Sequence, residues 1–210
     1  SKSSNNNPKS DWYIWKKGIG KNPPNNWKSM TGGGGWHYVK ERDEWYFATF
    51  LPFQPDLNYH NEEVKKEMFD TIRFWLEKGV DGFRLDIFNV IMKDPAFRNN
   101  PWSYRLIPNE ENPDGFFQKN KYTVNYHQNY DFAKELRNVL NEYPNKFLVG
   151  EVFGNLKTIR EYIGDQDGLH AVFIFEMLKF KWDPKYFKTL ISKIESQFQL
   201  PAIPVYVFSN

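Results

Sequence analysis

The chain has 210 residues, with 28 basic against 26 acidic side chains and no cysteine. A net charge of +2 lacks the clustered basic excess of a polyanion binder, so nucleic acid is not expected as a partner. The missing cysteine excludes disulfides, thiolate nucleophiles and cysteine-based zinc sites. Mean hydropathy is −0.73, and no apolar run approaches the roughly 20 residues that span a bilayer, so no membrane partner is expected either. The opening SKSSNNNPKS is polar and reads as no signal peptide. Phe, Tyr and Trp make up 19% of the chain, far too many for a disordered polymer. Trp and Tyr present flat apolar faces with a polar edge. Such faces serve a sugar-binding cleft and an aromatic core equally, and composition leaves both open.

The first part, residues 1 to about 60, reads as loop-rich. Asn5-Asn6-Asn7-Pro8, Asn22-Pro23-Pro24-Asn25-Asn26 and Gly32-Gly33-Gly34-Gly35 are turn formers, and aromatic runs between them read as short strands. The glycine run is no phosphate loop, because no Gly-Lys-Ser/Thr follows it. After Asn61 the pattern alternates. Asn61 caps a helix opening on Glu62 and Glu63, whose apolar face is Val64, Met68, Ile72, Trp75 and Leu76. Residues 80–86 (VDGFRLD) read as a buried strand. Phe132, Leu136, Val139 and Leu140 mark a helix, and residues 146–151 (KFLVGE) a second strand. A short helix over 156–163, a strand over 171–175 (AVFIF), a helix opening at Asp183-Pro184 and a strand over 204–209 (PVYVFS) follow. Strands alternating with helices predict a parallel sheet with covering helices. The long segment from Ile87 to about Tyr126 interrupts that alternation, as functional loops do. Four such strands are half the eight of a closed barrel, so the expected fold is α/β, a partial (β/α)8 barrel cut at both ends. Residues 1–60 then form part of a small inserted domain, and 61–210 the partial barrel.

Asp86 and Glu151 each stand at the carboxyl end of an expected strand, the active-site face of a parallel barrel. Consecutive strands bring them side by side, although they lie 65 residues apart. Two carboxylates facing one cavity are the machinery of glycoside hydrolysis. Arg84 points to the same strand face as Asp86. At roughly 4 Å and an effective dielectric of about 20, its attraction is about 4 kcal/mol and favours the charged carboxylate a nucleophile needs. At roughly 5.5 Å, Asp86 in turn repels a charged Glu151 by about 3 kcal/mol, which lifts Glu151 above the ordinary carboxylate range, as a general acid requires. A buried Arg–Asp pair that merely closes a barrel accounts for the same residues, and on the residues alone it is slightly favoured.

The residues also carry a resemblance. Gly82-Phe83-Arg84-Leu85-Asp86 and Val149-Gly150-Glu151-Val152 resemble two signature strands of the α-amylase family of glycoside hydrolases. Gln54-Pro55-Asp56-Leu57-Asn58 resembles the motif of its oligo-1,6-glucosidase and α-glucosidase branch. Asp11-Trp12-Tyr13-Ile14-Trp15 and Pro24-Asn25-Asn26-Trp27 are similar to that branch too. The resemblance implies that Asp86 is the catalytic nucleophile, Arg84 its substrate-site partner and Glu151 the acid/base. It implies hydrolysis of α-1,6 or α-1,4 glucosidic bonds in short oligosaccharides by a retaining double displacement. Phe50 matches a position that flanks the terminal glucose, though packing beside Leu51 and Phe53 accounts for it equally. Ile87 matches a position linked to α-1,6 preference.

The resemblance further implies a start within the inserted domain and an end at the seventh barrel strand, where Val207-Phe208-Ser209-Asn210 opens a motif that continues with His-Asp. The remainder of the barrel is then absent, and the 210 residues alone are expected to be inactive. A transglycosylating or isomerising relative of the trehalose or isomaltulose synthase type shares these carboxylates and is an alternative. So is a non-catalytic barrel homologue, against which the joint presence of Arg84, Asp86 and Glu151 argues. No cofactor and no metal are expected. The four histidines, His37, His60, His127 and His170, lack metal-ligand spacing, and Asp165-Gln166-Asp167-Gly168 reads as a turn. The partner is an oligosaccharide, and the location is expected to be cytoplasmic. Of Trp15, Trp27 and Trp36, two are expected to brace the small domain.

Overall fold

The structure, a computed structural model, describes residues 6–109, 111–179 and 183–207. Asn5 of the first turn-forming run lies outside the described residues, as do Phe208, Ser209 and Asn210 of the last expected strand and motif. The chain divides into two compact units. One runs to Asp70 and takes in Val90–Ile107 and Asp114–Tyr126. The other comprises Thr71–Asn89, Pro108–Pro113 and the chain from His127 onward. Most of the long segment after Asp86 therefore packs with the first unit.

The first unit is built on an antiparallel sheet of β1 (Trp15–Lys16), β2 (Trp36–Val39) and β3 (Glu44–Phe47), in the order β1-β3-β2. Strands this short hold only because aromatics fill one side of the sheet. Ile14, Trp27, Trp36 and Phe47 form the buried core, with Trp27 stacked on Trp36 at 5.9 Å and on Phe97 at 5.5 Å. Both indole donors of this stacked pair are satisfied: Trp36 Nε1 donates to Asn25 Oδ1 (2.7 Å), and Trp27 Nε1 to the Arg98 carbonyl (2.8 Å). Trp27 and Trp36 are thus the bracing pair, while Trp15 lies partly exposed beneath the Arg42 guanidinium. The Gln54–Asn58 motif is a pin within this unit. The Asp56 carboxylate accepts from the Thr49 amide (2.9 Å), the Thr49 hydroxyl (2.5 Å) and the Lys93 ammonium (2.5 Å). Lys93 is almost wholly buried and also donates to the Val90 carbonyl (2.6 Å).

Helix α1 (Glu62–Glu77) begins as expected, with Asn61 Oδ1 accepting from the Glu63 amide (2.8 Å). Its expected apolar face needs a correction. Val64 and Leu76 are buried, but Trp75 is 48% exposed and packs edge-on against the exposed Phe74. Adjacent helical residues lie 100° apart, so Trp75 and Leu76 cannot both sit at the centre of one stripe.

In the second unit, β4 (Gly82–Leu85), β5 (Phe147–Gly150), β6 (Ala171–Ile174) and β7 (Ile203–Tyr206) form a sheet in sequential order, every pair parallel. Helices α2 (Gln128–Asn141), α3 (Leu156–Glu161) and α4 (Pro184–Gln197) make the connections. This is the arrangement of part of a (β/α)8 barrel. Asp183 caps α4 through the Lys185 amide (3.0 Å), with Pro184 in the first turn. Period-two alternation divides the sheet into two faces. Leu148, Val172 and Ile174 are fully buried on one face, alongside the buried residues of the helices, such as Leu136, Ile159 and Ile194. Each such side chain contributes about 1.5–3 kcal/mol. The other face carries Arg84, Val149 and Phe173 and leads to the ends of the strands.

His170, one of the four histidines without metal-ligand spacing, completes a strand ladder. The β5–β6 pairing covers Val149–Ala171 and Gly150–Val172, and just below it the Leu148 amide donates to His170 Nδ1 (3.1 Å). The ring must be neutral to accept. Burial, aided by the Arg137 charge, lowers its pKa to about 4. The native state therefore binds fewer protons than the unfolded chain below about pH 6.5. This contribution to stability is complete above that pH and is lost as pH falls toward about 4. Urea unfolding is expected to weaken over that window, and His170→Asn, which keeps an acceptor but does not titrate, should flatten the slope. A stability difference between the two proteins that stays constant from pH 7 to 4.5 would refute the assignment.

Candidate active site

Asp86 and Glu151 each follow the last residue of a strand, β4 and β5. The register sets Arg84 opposite Val149 and Leu85 opposite Gly150, so the two carboxylates leave neighbouring strands at the same level. The backbone then locks them together. The Glu151 amide donates to the Leu85 carbonyl (2.9 Å), and the Phe88 amide donates to the Glu151 carbonyl (2.8 Å). Between these bonds the chain turns sharply at Ile87, whose φ is +36°. A β-branched residue in the left-handed region is strained, and such strain gathers at functional sites. Asn89, fully buried, continues the grip by donating to the Phe153 carbonyl (2.9 Å).

Arg84 joins the two acids. Its Nη1 donates to Asp86 Oδ1 at 2.7 Å, and its Nη2 donates to Glu151 Oε2 in a short bond. The first of these contacts follows from the strand period. The second does not, because it depends on the register between two strands. The Glu151 side chain is 10% exposed and Asp86 72%, so the environments of the two acids differ sharply. The Glu151 pKa is raised, and burial is the largest cause. The Arg84 charge opposes that rise, and Asp86 adds to it through a hydrogen bond and like charge. The expected direction is found, but its leading cause is desolvation, with repulsion from Asp86 secondary. Water around Asp86 screens the repulsion and leaves the buried partner to feel its own lost hydration. The Arg84 guanidinium also lies 5.9 Å from the ring of Phe173, a residue of β6 that the sequence did not single out.

Phe50 belongs to the first unit, whereas Arg84, Asp86 and Glu151 all belong to the second. Its carbonyl accepts from the Ser29 and Thr31 hydroxyls (2.7 and 3.3 Å), and its side chain is partly buried. Residues 165–168 form a turn in which Asp167 accepts from the Asp165 amide and pairs with Lys134 (2.7 Å). Among the described residues, no group of three His, Asp or Glu side chains is arranged to hold a metal ion, and no helix is long and apolar enough to cross a membrane.

An Arg-bridged acid pair at the ends of adjacent parallel strands meets a family match over most of the chain. The family described as alpha amylase, catalytic domain, matches residues 1–200. The chain belongs to the alpha-amylase family. It is 40% identical to a protein named probable alpha-glucosidase from Rhizobium meliloti (strain 1021), over 85% of its own length and 34% of that relative's. It is 39% identical to an oligo-1,6-glucosidase of Heyndrickxia coagulans, over 84% of its own length and 31% of the relative's. Among solved structures, the alpha-glucosyl transfer enzyme XgtA superposes with a TM-score of 0.86 at 36% identity, covering 97% of this chain and 39% of that one. The chain thus spans about a third of the length of the curated relatives it matches. Its parallel sheet with covering helices is part of the (β/α)8 barrel.

Proposed function

We propose that these residues carry the nucleophile and the acid/base of a retaining α-glucosidase that cleaves α-1,6 or α-1,4 bonds in short oligosaccharides, within a barrel completed by further polypeptide. The observation that carries the reading is Arg84 holding Asp86 and Glu151 at once. A single guanidinium bonded to both carboxylates keeps them near each other, which suits the close spacing of retaining enzymes, about 5–5.5 Å. Asp86 Oδ bonds to the anomeric carbon as the glycosidic C–O bond breaks, and the Glu151 proton passes to the departing oxygen. Glu151, now a carboxylate, takes a proton from water, whose oxygen bonds to the anomeric carbon and releases Asp86.

The stereochemistry of azide rescue tests this assignment. The test protein is the Rhizobium meliloti relative with its aligned 190 residues replaced by those of this chain. With Asp86→Gly, azide enters from the vacated nucleophile face, and β-glucosyl azide is expected from α-glucosyl fluoride. With Glu151→Ala, azide attacks the covalent intermediate, and α-glucosyl azide is expected. The same anomer from both variants would reject the two roles. A second reading has a sugar in place of water as acceptor. The likeness to an alpha-glucosyl transfer enzyme favours it. Products from isomaltose, maltose and sucrose separate the two, since transfer yields oligosaccharides and hydrolysis yields monosaccharides alone.

A further inference from the structure

We propose that a polar cavity in the first unit is a binding site for one neutral sugar ring. It stands apart from the glycosidase reading, because every residue lining it belongs to the first unit, and Arg84, Asp86 and Glu151 to the second. The cavity has a volume of about 190 Å³. Sites for drug-sized ligands run from roughly 300 to 1,000 Å³, so this one admits a single ring and not a chain. Its wall starts from a hairpin. Arg42 stands in the turn between β2 and β3, where its amide donates to the Val39 carbonyl (3.2 Å), and Glu44 opens β3. The Arg42 guanidinium lies 4.0 Å over the ring of Trp15 in β1. Both its Nε (2.9 Å) and its Nη2 (2.7 Å) donate to one oxygen, Glu44 Oε2. The pair is enclosed, with side-chain exposures of 7% and 19%. An enclosed ion pair adds little to stability, since lost hydration offsets its attraction. Its effect here is to hold a carboxylate at the cavity with Oε1 unused among the described residues.

Asp11 also lines the cavity. Its Oδ2 accepts from Asn61 Nδ2 (2.9 Å) and its carbonyl from Asn58 Nδ2 (3.1 Å), while Oδ1 carries no hydrogen bond among the described residues. Neither do the hydroxyls of Ser10 and Tyr13, which complete the polar lining. The charges balance. Arg42, and Lys16 with its ammonium 4.7 Å over the Phe97 ring of the lining, offset Glu44 and Asp11. A charged ligand gains no net attraction there, which favours a neutral one. An ionised carboxylate can only accept hydrogen bonds. Two open carboxylate oxygens therefore call for a ligand rich in donors, and hydroxyls on adjacent carbons supply these in pairs. Trp15 and Phe97 add apolar surface, which suits the C–H face of a ring. A pyranose is neutral, rich in donors at its rim and apolar on its face.

Saturation-transfer NMR of the 210-residue chain with D-glucose reads the site directly. Saturable binding in the millimolar range is expected. Ser10→Leu, which fills the cavity, should abolish it. Asp11→Asn keeps the size but replaces a charged acceptor, and should weaken binding by about tenfold. Asp11 is exposed, so this variant keeps the test open if Ser10→Leu does not fold. Asp86→Asn should leave glucose binding unchanged. Absence of binding would overturn the proposal, as would binding that survives both cavity variants or is lost in Asp86→Asn. Transfer to methylammonium in place of glucose would reveal an amine site and overturn it too. The two readings fail separately, since an inactive chimera would leave glucose binding to this cavity untouched.

Discussion

In the same chimera, Asp86→Asn is expected to reduce release of p-nitrophenol from an α-glucoside by at least about 10⁴-fold, or about 5.5 kcal/mol of transition-state stabilisation. Asn is a near-isostere that keeps a hydrogen bond to Arg84 but cannot displace an aglycone. Glu151→Gln should behave differently. Loss of a general acid costs about 10²–10⁴-fold when the leaving group needs a proton. Isomaltose, whose departing oxygen is an alkoxide, should feel the whole loss in its first step. The p-nitrophenyl substrate needs little protonation, so its first step should survive and the covalent intermediate should accumulate as an initial burst. An Asp86→Asn chimera that retains a few per cent of turnover would show that Asp86 is not the attacking group. Equal losses on both substrates in Glu151→Gln would show that Glu151 does not protonate the leaving oxygen.

The largest expected stability loss lies elsewhere, in the first unit. Asp56→Ala removes the acceptor of Thr49 and Lys93 together. Lys93 is 4% exposed, and among the described residues its ammonium would keep only the Val90 carbonyl as a hydrogen-bond acceptor. Breaking a buried pair from one side costs about 3–5 kcal/mol, because the remaining charge is left uncompensated. Lys93→Met should cost less, since Asp56 retains both Thr49 donors and is more exposed. The double variant Asp56→Ala with Lys93→Met should recover part of the single loss, as the stranded charge is gone. Urea unfolding of the three variants reads this directly, and strict additivity would mean that the pair is not coupled.

How much of this could be read in advance depended on which interactions are local. The alternation of strands and helices after Asn61 was legible because each element carries its own period and caps. The neighbourhood of Asp86 and Glu151 followed from consecutive strands being adjacent. The Arg84 contact to Glu151 was not legible, since it needs the register of Arg84 against Val149, and strand pairing sets that register. Nor was the dominance of burial at Glu151, which depends on what encloses one carboxyl and leaves its neighbour in water. The Gln54–Asn58 motif was recognised as a pattern, but its physical work was hidden. The partner of Asp56 is Lys93, 37 residues away in a segment with no regular period. Trp75 shows the opposite failure, a local period read one position too wide. His170 gave no signal in the sequence, because its part is to accept a single amide at the point where a ladder stops.

The two glycines in the signature strands act as a vernier for the chemistry. A methyl group on Gly82 would stand 2.1 Å from the Phe147 carbonyl oxygen, and one on Gly150 would stand 2.4 Å from a Leu169 methyl. The first gap, closed by backbone, admits no other residue. Sliding β4 along β5 by one position would force Asp81 or Phe83 into the first gap, so that misalignment is sterically barred. The same slide would turn Arg84 and Asp86 toward the helices and bring Leu85 to the open face. Gly82 thus indexes β4 against β5, Gly150 sets β5 against the chain entering β6, and the first of these fixes the span between the acids to within a single residue step.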